Sequence, residues 1–212
     1  VPVGHWRSGA HSYTCYFTEC FIDELAQIAG TEPVSYRIGM LGGEPRLARC
    51  LQAVAAQGEW QGGIAGSGQG VACHAFRGSY IAVLAQLHRS GDTLVLDRLI
   101  AAADCGRVIH PDLVTQQLEG GLLFGAAAAL AGPLTLTENV SDVLGFAQYE
   151  LPRLADCPDV SVEIIDSAEE PGGVAELAVP PVGAALANAI ATLGAGRPRS
   201  IPFDFDSDEG GA

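Results

Sequence analysis

Between Gly62 and Gly70 five of nine residues are glycine (62, 63, 66, 68 and 70), and the hydrophobic period of the chain changes across that stretch. Before it, apolar residues recur every three or four positions: Phe21, Ile22, Leu25, Ile28 and Ala29, then Leu47, Cys50, Leu51 and Val54. That spacing lines them up along one side of a helix, which would leave Asp23 and Glu24 on the opposite side. It predicts helices over 17–30, 33–41 and 45–58, with Pro45 in a first turn and Gly30 and Gly58 as stops. After the glycines, 71–88 and 93–103 read as two strands of one long antiparallel hairpin around Arg89-Ser-Gly-Asp92. Pro111 opens a helix that reaches about Leu130 and is ended by Gly132-Pro133. Val160 to Ser167 reads as another strand, and a last helix begins at Pro180 or Pro181 and ends near Gly194. Mixed helices with antiparallel strands give an α+β class. From Asp204 the acidic tail is expected to fray.

A chain of 212 residues with 48% hydrophobic content can bury a core as one large domain or two small ones. Its charge of −14, from 25 acidic and 11 basic residues, speaks against nucleic acid or an anionic membrane as partner. Small molecules and other protein chains remain. The apolar run Leu122 to Ala131 is about half of the ~20 residues that a membrane helix needs, so it is expected to be a buried helix with no membrane span. The six cysteines are irregularly spaced, with no C-x-x-C pair and no histidine cluster. They read as free, mostly buried thiols rather than ligands of zinc, an iron–sulfur cluster or a c-type haem, so no metal ligand set is assigned to this chain. The opening Val1-Pro-Val-Gly has neither an initiating Met nor a basic-then-apolar leader, which reads as a piece of something longer; cytoplasmic and periplasmic locations stay open.

Four segments carry a more specific pattern. They are Trp6-Arg-Ser-Gly9 followed by 17–26; Ala103-Asp-Cys-Gly-Arg-Val-Ile-His-Pro111; Gln117-Leu-Glu-Gly120; and Pro171-Gly-Gly-Val-Ala-Glu176 with Pro180-Pro181 and Ala187-Asn-Ala-Ile190. In this order they resemble the large subunit of the molybdenum hydroxylases of the xanthine oxidase and aldehyde oxidase family, most closely the C-terminal region of the isoquinoline 1-oxidoreductase type. Ala175 stands where that family usually has Gly, and His110 where it usually has Asn. The family's G-G-G-F-G and E-M-G-Q-G loops do not occur in the chain.

The resemblance implies that residues 1–203 are a molybdopterin-binding domain, part of a larger subunit. It implies molybdopterin with molybdenum, in its cytosine dinucleotide form, and iron–sulfur clusters on a small partner subunit. The implied reaction is hydroxylation of an N-heterocycle or aldehyde with water as oxygen source, and the missing glycine loops imply that the rest of the large subunit completes the cradle.

Glu176 is then the general base. It follows Gly172-Gly173 and precedes Leu177-Ala-Val-Pro-Pro181, apolar surroundings expected to raise its pKa. The plain alternative is a solvated loop glutamate. Arg7 would hold negative charge developing on substrate and Trp6 would stack on it; the alternative is an arginine paired with an acid. Gln117, Gly173 and Ala175 would contact the pterin, and Gly120, Gly121 and Gly125 would let their helix approach a neighbour closely. Cys105 reads as structural. Gly66 to Gly70 invites a nucleotide-binding reading, but it precedes a strand and no P-loop lysine follows. His5 and His11 flank the Arg7 loop and are candidates for a substrate pocket, while His74 and His88 read as satisfied or exposed histidines. A noncatalytic assembly module of the same fold, binding partner chains without cofactor, is the rival reading.

Overall fold

Residue-by-residue alternation makes β2 (Ser79–Ser90) the centre of the fold: Ile81, Val83, Ala85 and Leu87 enter one core cluster while Ala82 and Leu84 enter the other. A strand buried on both faces reads as a continuous apolar run, and Ile-Ala-Val-Leu-Ala is that run. The computed structural model describes residues 4–91, 93–131, 134–145, 147–149 and 152–203. The acidic tail from 204 and the expected stop at Gly132-Pro133 lie outside them.

The four-stranded sheet has the order β1-β2-β3-β6, where β1 is Gln69–Phe76, β3 is Thr93–Asp104 and β6 is Asp159–Ile164. The expected single strand over 71–88 is two strands. Arg77 (φ 49°) and Gly78 (φ 78°) are both left-handed and fold the chain back in a two-residue hairpin turn, which Gly adopts without strain. The result is a three-strand antiparallel meander, to which β6 adds in parallel alongside β3. A short pair, β4 (Leu136–Thr137) and β5 (Val140–Ser141), forms a separate ribbon.

Helices cover both faces. On one, α3 (Pro45–Gln57) lays Leu47, Cys50, Leu51 and Val54 on the sheet, with α2 (Pro33–Met40) beside it. On the other, α5 (Val179–Thr192) is buried from Val179 to Ile190 and is flanked by α1 (His11–Ile28) and α4 (Pro111–Leu130). Gly70 lets α5 lie directly on β1, since a Cβ there would collide with Ala189 N and Ala185 O. Asn188 Nδ2 donates to Val71 O at 2.9 Å across the same contact. In α4 the close approach expected of its glycines occurs at Gly121, against Ala178, and at Gly125, against Val179 and Val182, while Gly120 faces open space.

Helix α1 turns the opposite way from the expected one. Asp23 and Glu19 are buried, whereas Phe17, Phe21 and Ile28 are exposed. The cause is a buried cation from another helix: Arg37, 2% exposed, donates to Glu19 Oε2 (2.8 Å), Asp23 Oδ1 (3.4 Å) and Glu19 O (2.9 Å), and Arg197 reaches Asp23 Oδ2 (2.8 Å). Fully paired charges stay inside, so the acidic side of α1 becomes its core side.

Candidate functional site

The site begins where α5 begins. A turn closed by Leu177 N to Val174 O (3.4 Å) and Val179 N to Glu176 O (3.3 Å) delivers the chain into the helix and sets Glu176 just outside its first turn. The preceding loop is pinned from below. Arg107 N donates to Glu169 O (2.9 Å), Gly172 N to Cys105 O (2.9 Å) and Gly173 N to Arg77 O (3.0 Å). Gly172 and Gly173 thus serve a close crossing over the β1–β2 turn; a Cβ on Gly172 would lie 2.8 Å from Gly78 C, and one on Gly173 would lie 3.2 Å from Arg77 Cβ.

Two of the residues singled out in the sequence, Arg7 and Gln117, converge on one atom of a third, Ala175. Arg7 donates to Ala175 O through Nε (2.9 Å) and Nη2 (2.6 Å), and Gln117 Nε2 donates to the same oxygen at 3.0 Å. Arg7 therefore pairs with main-chain carbonyls instead of an acid, and its fork is occupied in holding Ala175. Trp6 lies against Phe124 with ring centroids 5.2 Å apart, and the Arg7 guanidinium stands 5.7 Å from the centre of that ring. Trp6 is 53% exposed and borders an apolar cleft of about 420 Å³ lined also by Gly125, Tyr149, Val179 and Pro180.

The Glu176 side chain is 23% exposed, with His5 Nε2 at 3.5 Å from its Oε1. A hydrogen bond from the Ser8 backbone holds its carboxyl below the ordinary glutamate range; partial burial pushes the other way and is outweighed with the help of His5 and Arg77. The expected upward shift is thus absent in this chain, because an apolar sequence neighbourhood is not an apolar spatial one: the Ser8 backbone, His5 and Arg77 reach the carboxylate. Ser8, His5 and Arg77 were not assigned to it from the sequence. For Arg77, about a hundred residues away on a hairpin turn, no local signal existed.

Other candidates are placed elsewhere. Cys105 is buried, its thiol pushed up by burial first, which fits a structural role. Gly66 to Gly70 joins the end of α5 to the sheet: Gly66 N donates to Thr192 O, and a Cβ on Gly68 would collide with Leu87 O. His88 pairs with Asp97 at 2.8 Å on the surface. His74 is half-buried, with its Nε2 unpartnered among the described residues, so it is neither satisfied nor exposed. Burial, then His11, pull its pKa down to about 4, and both rings pack with Phe76.

The family model described as molybdopterin cofactor-binding domain matches residues 52–158, half of the chain and the part that contains the whole meander and α4. The chain belongs to that family. The fold class is the expected one, with an open sheet that is mostly antiparallel, and this molybdopterin-binding domain is of the kind found in xanthine-oxidase-type oxidoreductases. It is 30% identical over 209 residues to the beta chain of isoquinoline 1-oxidoreductase from Brevundimonas diminuta, covering 96% of this chain and 27% of that protein. To the molybdenum-binding subunit of aldehyde oxidoreductase from Escherichia coli it is 30% identical over 143 residues, 62% of this chain and 19% of that one. The chain therefore spans about a quarter or less of the length of these relatives. CO dehydrogenase from Oligotropha carboxidovorans superposes with a TM-score of 0.51 at 22% identity, over 57% of this chain and 17% of that one, which shows the shared fold. No helix among the described residues is long and apolar enough to cross a membrane.

The donor set around Glu176 is compatible with one side of a pterin cofactor. The Glu176 carboxylate, the Gln117 amide and the exposed residue Ala175, whose carbonyl is already occupied, lie close together.

Proposed function

We propose that this chain forms one wall of the molybdenum-cofactor site of a hydroxylase acting on N-heterocycles or aldehydes, with Glu176 as general base. The observation that carries the reading is the placement of Glu176: a carboxylate at the entry of a helix buried from Val179 to Ile190, its backbone neighbour held by three side-chain hydrogen bonds. A depressed pKa keeps it ionised at neutral pH, the form a proton acceptor requires.

Gln117, through its amide oxygen, would meet the cofactor's polar edge, with Gly173 and Ala175 lining the same side; we take the cofactor to be the cytosine dinucleotide form of molybdopterin. When bound, that group supplies the oxygen-transfer and two-electron redox chemistry. Arg7 keeps Glu176 in register by gripping the carbonyl before it, and Trp6 with Phe124 offers an aromatic edge for a planar substrate next to the cleft. Residues 1–203 act as one domain with the remainder of the large subunit, and an iron–sulfur small subunit receives the electrons.

The test is the assembled complex. Molybdenum, pterin, cytosine nucleotide and iron contents are measured, followed by substrate-dependent dye reduction for wild type and Glu176→Gln. A loss of about 10²–10⁴ in kcat with cofactor content retained is expected. Full turnover in that variant overturns the role of Glu176, and a folded complex devoid of cofactor favours the assembly-module reading.

A further inference from the structure

We infer that His5 is the positioning and proton-exit partner of Glu176: its Nε2 accepts the proton that the carboxylate has taken up and hands it to water. This rests on the reading of Glu176 as a base. The two groups are 3.5 Å apart, and they differ in exposure in the direction that an exit needs, 23% for Glu176 and 75% for His5.

The loop between them is built to hold this arrangement. Ser8 (φ 78°) and Gly9 (φ 53°) are consecutive left-handed residues, so the chain reverses between His5 and α1. Left-handed backbone is uncommon for a residue other than glycine and persists only where its surroundings enforce it. Here they do: Ser8 is buried, and its Oγ bonds to Arg7 O and Ser12 Oγ. The reversal turns the Ser8 backbone toward the Glu176 carboxylate, directs Arg7 to the carbonyl of Ala175, and lays the His5 ring against Gly9. A Cβ on Gly9 would sit 3.3 Å from His5 Cε1. One loop therefore holds two successive residues of the opposing turn and brings one imidazole beside the acid.

Among the described residues that face the carboxylate, the imidazole of His5 is the group that can take its proton. Ser8 contributes a main-chain donor and Arg77, from the β1–β2 turn, a guanidinium that only donates, while Arg7 and Gln117 donate to Ala175 O instead. Histidine is the side chain suited to exchanging protons with solvent near neutrality. In the transfer the Oε1–H bond breaks and an Nε2–H bond forms, after which the imidazolium releases Nδ1–H to water; no electrons move.

The decisive measurement needs no cofactor. The carboxyl carbon of Glu176 and the ring of His5 are titrated by NMR in the 212-residue chain, in wild type, His5→Gln and Glu176→Gln, with amide spectra and Tm as controls for folding. A coupled pair moves reciprocally. His5→Gln raises the Glu176 midpoint, since the imidazole is one of the groups that hold it down, and Glu176→Gln changes the ring resonances of His5 in turn. Arg77→Gln shifts Glu176 without disturbing the reciprocity. Absent or one-sided shifts overturn the pairing. In the loaded complex, His5→Gln lowers kcat at unchanged KM, and added imidazole buffer restores it; a kcat that is insensitive to both overturns the exit role. Coupling with full turnover in Glu176→Gln removes the base reading and the exit role built on it while leaving the pair. No coupling with an inactive Glu176→Gln removes His5 and leaves the base.

Discussion

Arg46 grips both carboxylate oxygens of Asp104, Nε to Oδ2 at 3.0 Å and Nη2 to Oδ1 at 2.5 Å, and so ties α3 to the end of β3. Asp104 is fully buried and also receives Arg49 Nη2 (2.9 Å) and the Gly106 amide (3.1 Å). Burial alone would raise its pKa; the hydrogen bonds from Arg46, Gly106 and Ser167 and the charge of Arg46 hold it below the ordinary aspartate value. A carboxyl depressed in the folded state contributes stability that is complete above its unfolded pKa, about 3.9, and is lost as pH falls toward the folded value. We predict that Tm falls steeply below about pH 4, and that Asp104→Asn costs about 3 kcal/mol at pH 7 while flattening that acid limb. Calorimetry between pH 7 and pH 3 decides it: an equally steep acid limb in the variant removes Asp104 as the cause.

The cysteines give a second prediction. Cys15, Cys20, Cys50, Cys73 and Cys105 are buried and Cys157 is exposed. Burial first, with neighbouring charges contributing, pushes the Cys20 and Cys50 thiols up to about 12 and raises Cys15 and Cys73 well above the usual value. Because the thiolate is the nucleophile, these groups are slow to alkylate in the native state. With a chromogenic disulfide reagent at pH 7.5, one thiol should react rapidly and the remaining five only on denaturation. Two or more rapid equivalents without added denaturant would contradict the burial.

These elements show how much the sequence could reveal. Helices α3 and α4 were readable from spacing and from Pro45 and Pro111, since local period and first-turn prolines act within a few residues. The orientation of α1 was not, because Arg37 and Arg197 lie 14 and 174 residues from Asp23 and only the fold brings them to it. The break at Arg77-Gly78 was hidden by continuous strand-like composition on both sides. At the site, Trp6, Arg7, Gln117, Ala175 and Glu176 do come together, yet the contacts differ from those expected: Arg7 and Gln117 hold the backbone of the base. Motifs identify which residues gather, whereas the acceptor each one chooses depends on three-dimensional neighbours.

Gly70 carries a third prediction. Helix α5 crosses β1 so closely that a methyl group at Gly70 would run into the backbone at Ala185 and Ala189. A colliding flexible side chain could rotate away, but backbone can yield only by moving the helix, and α5 is the element on which α1 and α4 both pack. Gly70→Ala should cost about 2–3 kcal/mol, a Tm loss of about 5–10 °C for a chain of this size. Gly120→Ala, on the open side of α4, should leave Tm unchanged or slightly raised, as the better helix former. Equal effects of the two substitutions would mean that α5 does not bear on β1 as described.

The Ala175 carbonyl supports the last prediction. Arg7 and Gln117 share it as acceptor, so each should matter more when the other is present. Arg7→Lys keeps the charge but replaces a planar fork by a single compact ammonium, which cannot reproduce two parallel donations to one oxygen. Each loss at this partly exposed place should cost about 1 kcal/mol or less in global stability. The main consequence is therefore local: amide hydrogen exchange at 174–178 should accelerate in Arg7→Lys and in Gln117→Ala, while the α5 interior stays protected. A double-mutant cycle on that opening free energy should show coupling of about 0.5 kcal/mol or more, as groups with a common partner do. Strict additivity would mean that the two side chains hold the turn independently, and Ala175 would lose its place as the point that keeps Glu176 in register.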